Sequence, residues 1–255
     1  MTVKTSSLEG RAAFISGAGH GIGRASALAM ARLGAVVGVN DLKQEFVDKT
    51  VAEIRDLGGE AIPLPMDVST RAGMREAVQR FASDARRFDI MVNNAAWVRY
   101  QPLVEITQEV MDRMVEIGFK SVIWGVQAAA EAMDPQRGGS IVNVASIAAF
   151  KSPMRSVVYS GIKAGVLGIT RAAAADLGAR NIRVNAVAPG AVPTEGTAKH
   201  RNADLDAKRI ARTPLGRLGT VEDIADAICF LAGDGARFLN AEVLRLDGGA
   251  SETSL

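Results

Sequence analysis

The chain has 255 residues, 48% of them hydrophobic and 23% charged, with a formal net charge of +2. That length can bury a substantial core without disulfides or metal, and the near-neutral charge gives no footprint for nucleic acid. A single cysteine, Cys229, excludes an internal disulfide, and with only His20 and His200 besides there is no metal-ligand spacing.

The first predicted strand, Ala12–Ser16, runs into Gly17-Ala18-Gly19-His20-Gly21-Ile22-Gly23 and a helix near 22–33. Glycines there allow a tight turn, bring backbone N–H groups close to a pyrophosphate and let the helix pack on the sheet. The helix N-terminus favours the phosphates. His20 can contact them or remain a solvated loop residue. Gly34 stands where a helix needs a left-handed C-terminal residue.

The second strand, Ala35–Asn40, ends at Asp41. An acid there accepts hydrogen bonds from the adenosine ribose hydroxyls and repels a 2′-phosphate, which argues for NAD over NADP. Lys43 weakens that repulsion if it folds back. After a helix near 44–57, the strand Ala61–Met66 leads to Asp67, which can meet an adenine edge or cap the helix near 70–87.

The strands Ile90–Asn93 and Ser140–Ala145 flank a long helix near 107–133. Ser146 follows the second of these, placed to hydrogen-bond a substrate oxygen as charge builds on it. Tyr159 and Lys163 share one face of a helix near 156–179 at spacing i, i+4. A phenol, pKa about 10 in isolation, becomes a better base beside an ammonium, so Tyr159 can exchange a proton with an alcohol as hydride leaves carbon.

The strand Ile182–Val187 precedes residues 190–219, a stretch with Pro193 and Pro214 and no strand signal, read as a substrate lid. Thr220 and Asp223 form an N-cap arrangement for a helix near 221–233, where Cys229 reads as a core thiol. The strand Glu242–Leu246 closes the pattern. Nearly continuous apolar strands alternating with helices predict an α/β fold: a doubly wound, mainly parallel seven-stranded sheet with helices on both faces, in one domain over 1–255. With no signal-peptide core and no apolar stretch of spanning length, a cytoplasmic protein with no membrane partner is expected.

Ser16–Gly23, Asp67-Val68, Asn93-Asn94-Ala95-Ala96, Ser146, Tyr159–Lys163, Asn185–Gly190 with Thr194, and Asp247-Gly248-Gly249 stand in the order and spacing of the short-chain dehydrogenase/reductase family. The chain resembles that family over essentially its whole length. The resemblance implies a single Rossmann-type domain, usually in a homotetramer or dimer, a nicotinamide cofactor and a small-molecule substrate. It implies that Gly17, Gly19, His20, Gly21, Ile22 and Gly23 form the cofactor turn. Asp67 and Val68 would bind adenine, and Asn93 and Ala95 would lie near the cofactor. Pro189, Gly190, Val192 and Thr194 would contact the nicotinamide carboxamide. Tyr159 would be the acid/base, and Lys163 would hold the nicotinamide ribose and lower the tyrosine pKa.

Three positions depart from the family pattern. Gly118 stands where an Asn usually helps hold a proton-relay water; it lets the helix bend or alters the relay. Ala96 and Ala241 replace glycines and are expected to be tolerated as small residues. Segments expected to line the substrate pocket carry Trp97, Arg99, Tyr100, Lys151 and Arg155, cations and aromatics suited to a polar or anionic substrate unless they are solvated. Trp124 reads as core or subunit interface. The reading that follows is an NAD-linked dehydrogenase of a small hydroxylated molecule (sugar, sugar acid, polyol or other secondary alcohol). The alternatives are an NADPH-dependent carbonyl or 3-ketoacyl reductase, which Asp41 opposes, and a catalytically silent dinucleotide-binding sensor, which Gly118 alone invites.

Overall fold

The computed structural model describes residues 7–196 and 202–253. The first six residues and part of the lid stretch, 197–201 with Lys199 and His200, lie outside them. Seven strands, β1 (Ala12–Ile15), β2 (Val36–Asp41), β3 (Glu60–Pro65), β4 (Ile90–Asn93), β5 (Gly139–Val144), β6 (Ile182–Pro189) and β7 (Val243–Leu246), form one sheet in the order β3-β2-β1-β4-β5-β6-β7. Every pairing is parallel. The strand order reverses between β1 and β4, and the crevice at the carboxyl ends of these strands is where ligands bind in open α/β sheets. Edge position explains how β3 tolerates Pro63 and Pro65, which lack a backbone donor.

Helices α1 (Gly21–Arg32), α2 (Gln44–Asp56), α3 (Arg71–Asp84), α4 (Gln108–Val115), α5 (Ser121–Ala132), α6 (Val157–Leu177), α7 (Ala203–Ala211) and α8 (Val221–Ala232) connect the strands. Strand side chains alternate between two apolar layers. Met30, Val47, Ile54, Ile224 and Ile228 from α1, α2 and α8 cover Ile15, Val37 and Val142 on one face. Met74, Phe81, Ala129 and Ala174 from α3, α5 and α6 cover Phe14, Met91 and Ile141 on the other. Trp124 is partly buried against this second layer, and Cys229 is buried in the first. Among the described residues no helix is long and apolar enough to cross a membrane.

The long helix expected near 107–133 is a composite. Between α4 and α5 lies a π-helical segment, Glu116–Lys120, centred on Gly118. The extra residue re-aims the helix there, and such bulges gather at functional sites. Gly118 is buried, and a Cβ on it would sit 3.2 Å from Cγ2 of Ile162, the neighbour of Lys163 in α6.

Helix α7 falls inside the lid stretch. It was hidden from the strand pattern but carries its own signal: Asn202 caps the N–H groups of Asp204 and Leu205, with acids in the first turn and Lys208 and Arg209 in the last. None of its described residues is buried, so it contributes little to the core.

Gly34 takes φ +90, and Thr220 with Asp223 forms a full capping box. Ala96 is exposed and its φ is not positive, so the alanine costs nothing there. Ala241 is different: it is held in the left-handed region at φ +64, with its N–H on the Val184 carbonyl. It is tolerated at a conformational cost, because a Cβ in that region crowds the following carbonyl. Ala241→Gly is expected to stabilise the fold by about 1 kcal/mol. A thermal melt with no upward shift would remove the strain from this account.

Candidate active site

Ser146, Tyr159 and Lys163 meet at the carboxyl end of β5. Ser146 follows that strand, and its Oγ accepts the Ala148 N–H at 3.1 Å. It also hydrogen-bonds the Tyr159 hydroxyl. Lys163 is buried, and its Nζ donates to the Val144 carbonyl at 2.7 Å, 5.8 Å from the centre of the Tyr159 ring. Helix α6 is held in this register by a buried polar chain. Asn93 Nδ2 donates to Asn143 Oδ1, and Asn143 Nδ2 to Thr170 Oγ1, each at 2.9 Å. Asn93 and Asn143 are paired neighbours on β4 and β5, and Thr170 lies two helical turns beyond Lys163. Gly125 on α5 makes room for this chain, since a Cβ there would collide with Asn93 Oδ1.

Burial governs both titrating groups. It pushes the Tyr159 phenol up to about 12, with the neighbouring Tyr100 adding to the rise and the Ser146 hydrogen bond opposing it. It pushes the Lys163 ammonium down to about 8. Among the protein's own groups the loss of water dominates at the phenol, and the Ser146 hydrogen bond is what opposes it.

The cofactor end lies beside the switch point. Gly17 and Gly21 take φ +65 and +55, and a Cβ on Gly19 would fall 2.7 Å from Asp41 Oδ2. Asn94 ties this turn to the end of β4 by donating to the Ser16 and Gly17 carbonyls, 3.0 Å each. Asp41 Oδ2 accepts the Gly19 N–H at 3.2 Å and stands 3.6 Å from His20 Nδ1. Burial works to raise the Asp41 carboxyl, but the His20, Lys43 and Gly19 hydrogen bonds prevail and hold it below its ordinary value. His20 is raised by its bond to Asp41, against burial, with Glu195 contributing. Lys43 does not fold back; its Nζ lies 5.0 Å over the Phe46 ring, so the group facing Asp41 is His20.

Asp67 is exposed and bonds the Ser69 N–H; the cap of α3 is Thr70, which leaves Asp67 free of that duty. Val68 is buried beneath it. Thr194 lies against Gly21, and Glu195 Oε2 accepts the Gly21 N–H at 3.0 Å. A carboxylate thus already occupies the anion-favouring N-terminus of α1, and the cradle fits a dinucleotide pyrophosphate.

A family model described as enoyl-(acyl carrier protein) reductase matches residues 17–251. The 3-oxoacyl-[acyl-carrier-protein] reductase FabG of Thermotoga maritima is 38% identical, over 95% of this chain and 98% of its own. The 2-dehydro-3-deoxy-D-gluconate 5-dehydrogenase of Escherichia coli is 32% identical over 98% of both. A gluconate 5-dehydrogenase from Burkholderia cenocepacia, solved with NADP and tartrate, superposes with a TM-score of 0.92 at 30% identity, covering 97% of this chain and 98% of that one. The chain belongs to the short-chain dehydrogenase/reductase family.

Membership makes it an oxidoreductase acting on CH–OH donors, from a family that binds a nicotinamide dinucleotide and small-molecule substrates and is commonly oligomeric. Trp97 packs with Val110, Met114 and Ile162, and Arg113 stacks on its ring at 4.4 Å. Trp97 and Arg99 line a cleft of about 290 Å³ with Thr107 and Glu109, and none of Ser146, Tyr159 or Lys163 lines it. Lys151 and Arg155 are exposed, with Arg155 at φ +62. Tyr100 packs edge-to-face with Tyr159, its ring centre 5.8 Å from that of Tyr159. Nothing periodic in the loop after β4 distinguishes Tyr100 from Trp97, three residues earlier.

The buried ammonium makes stability depend on pH. Below about 8 the folded protein holds a desolvated charge that the unfolded chain keeps in water; that cost disappears as pH rises towards the ordinary value of 10.5. Thermal melts between about pH 7 and 10 should show the wild type gaining on Lys163→Met as pH rises. A constant gap would place the ammonium in solvent.

Proposed function

We propose that this short-chain dehydrogenase/reductase oxidises a hydroxyl of a small polar molecule (a sugar, sugar acid, polyol or other secondary alcohol), reversibly and with NAD preferred over NADP. The observation that carries the cofactor choice is Asp41. It closes β2 beside the glycine turn with its carboxyl held ionised by the Gly19 N–H and His20, and a carboxylate there opposes a 2′-phosphate. In this reading residues 1–255 form one catalytic domain with 190–219 as its lid, working in the cytoplasm as a homotetramer or dimer.

Nicotinamide, when bound, accepts or returns the hydride. Tyr159 Oη takes the proton from the substrate hydroxyl in oxidation and gives it back in reduction. Ser146 Oγ orients the substrate oxygen and stabilises the charge that develops on it. Lys163, fixed by the Val144 carbonyl, presents its remaining N–H groups to the ribose and carries a positive charge beside the phenol. Gly17, Gly19, Gly21, Ile22 and Gly23 hold the pyrophosphate. Asp67 and Val68 hold the adenine. Asn93, Ala95, Pro189, Gly190, Val192 and Thr194 surround the nicotinamide side.

His20 favours a second reading, an NADPH-linked carbonyl or 3-ketoacyl reductase. Its imidazole faces Asp41 and, once protonated, offsets the carboxylate; a FabG reductase is among the relatives and an NADP complex among the structural neighbours.

Reduction of NAD and NADP, measured side by side on sugars, sugar acids, polyols and secondary alcohols, separates the two. Turnover with NAD is expected, falling at least a hundredfold in Tyr159→Phe while NADH binding persists, by analogy with loss of an essential acid/base. Asp41→Ala should narrow the NAD preference. Exclusive use of NADPH with ketones would replace the first reading by the second, and a Tyr159→Phe enzyme within about tenfold of wild type would remove Tyr159 as acid/base.

A further inference from the structure

Tyr100 and Tyr159 are the only tyrosines in the chain, and the fold sets them against each other. Their ring centres lie 5.8 Å apart at an interplanar angle of 66°, an edge-to-face pair. They come from separate elements, the loop after β4 and the first turn of α6. The loop is pinned there by its backbone, because the Gln101 N–H donates to the Arg155 carbonyl at 3.0 Å, just ahead of α6. Tyr100 is 50% exposed and Tyr159 is largely buried, so Tyr100 forms the water-facing side of the pair. Among the described residues the other groups facing the pair are Ser146 on the Tyr159 hydroxyl, Lys163 5.8 Å from the Tyr159 ring, and Arg209 of α7, whose charge reaches Tyr100.

We propose that Tyr100 is a positioning residue for proton transfer: its ring keeps water from the Tyr159 phenol and so holds the proton on it. The inference rests on Tyr159 being the acid/base. Two mechanisms act in the same direction. Cover by an aromatic ring removes the water that would solvate a phenolate, and two phenolates in contact repel, so that the pair gives up one proton before the other. The high proton affinity of Tyr159 agrees with both. The consequence is directional. In reduction the acid stays loaded at neutral pH, whereas oxidation, which needs the phenolate, is displaced towards alkaline pH.

Because there are two tyrosines, tyrosinate absorbance reads the pair without background from others. Tyr100→Phe and Tyr100→Ala each leave Tyr159 as the sole tyrosine, the first with the ring cover kept and the second with it removed. Titrated alone and with NAD present, Tyr159 is expected to ionise about one pH unit lower in Tyr100→Ala than in Tyr100→Phe. The pH profile of kcat for oxidation should move down by a similar amount, with NADH affinity by fluorescence unchanged. Equal midpoints and superimposable profiles for the two variants would overturn the proposal. Where alkaline unfolding precedes ionisation, the kcat profile decides on its own. Tyr159→Phe keeps the two questions apart: retained turnover there would dismiss Tyr159 as acid/base, whereas equal Tyr100 variants with an inactive Tyr159→Phe would dismiss only the role of Tyr100.

Discussion

A lysine with no access to water has to be met by the fold around it. Lys163 is that residue: its ammonium reaches the Val144 carbonyl at the end of β5 and is buried there. Burying a charge is costly unless it is hydrogen-bonded and its surroundings are fixed. Helix α6 cannot slide or rotate without breaking that bond, and the Asn93–Asn143–Thr170 chain locks the same helix to β4 and β5 two turns away. Tyr159, one turn before Lys163, is therefore delivered to Ser146 by constraints that lie in the sheet.

The same logic places the cofactor end. Parallel strands carry all their carboxyl ends to one edge, so the glycine turn after β1, Asp41 at the end of β2 and Ser146 beyond β5 share that edge although far apart in sequence. The turn is tight enough that Asp41 touches the backbone of Gly19 directly. Asp41 thereby meets His20, and the pair presents a charge that depends on the protonation of one imidazole. In the proposed function this pair would oppose a 2′-phosphate strongly when His20 is neutral and less so when it is charged.

The substrate side is built differently. The segments proposed for it are the loop after β4, the turn before α6 and the stretch with α7, and no described residue of α7 is buried. The loop after β4 is held by Trp97 against Val110, Met114 and Ile162, by the Gln101 N–H on the Arg155 carbonyl and by the Tyr100 ring on Tyr159. In the proposed function the chemistry is anchored in the core while specificity falls to surface segments that can vary without disturbing it.

The amino-acid sequence alone determined the sheet, the helices on both faces, the glycine turn, Asp41, and the Ser146, Tyr159 and Lys163 set. Each depends on local periodicity or short spacing: apolar runs for strands buried on both faces, i, i+4 for the Tyr–Lys pair, a cap at Thr220. Tertiary structure alone decided what depends on neighbours distant in the chain. The π segment at Gly118 joins α4 to α5 beside Ile162 of α6, and Ala241 takes a left-handed φ with its N–H on the Val184 carbonyl. Trp97 turned to Arg113 and Tyr100 to Tyr159, a choice between two aromatics three residues apart that no pattern within the loop contains. The phenol's proton affinity depends on packing in the same way: spacing places Tyr159 and Lys163 on one face, but only the fold around them sets how much water the phenol loses, and that loss raises it.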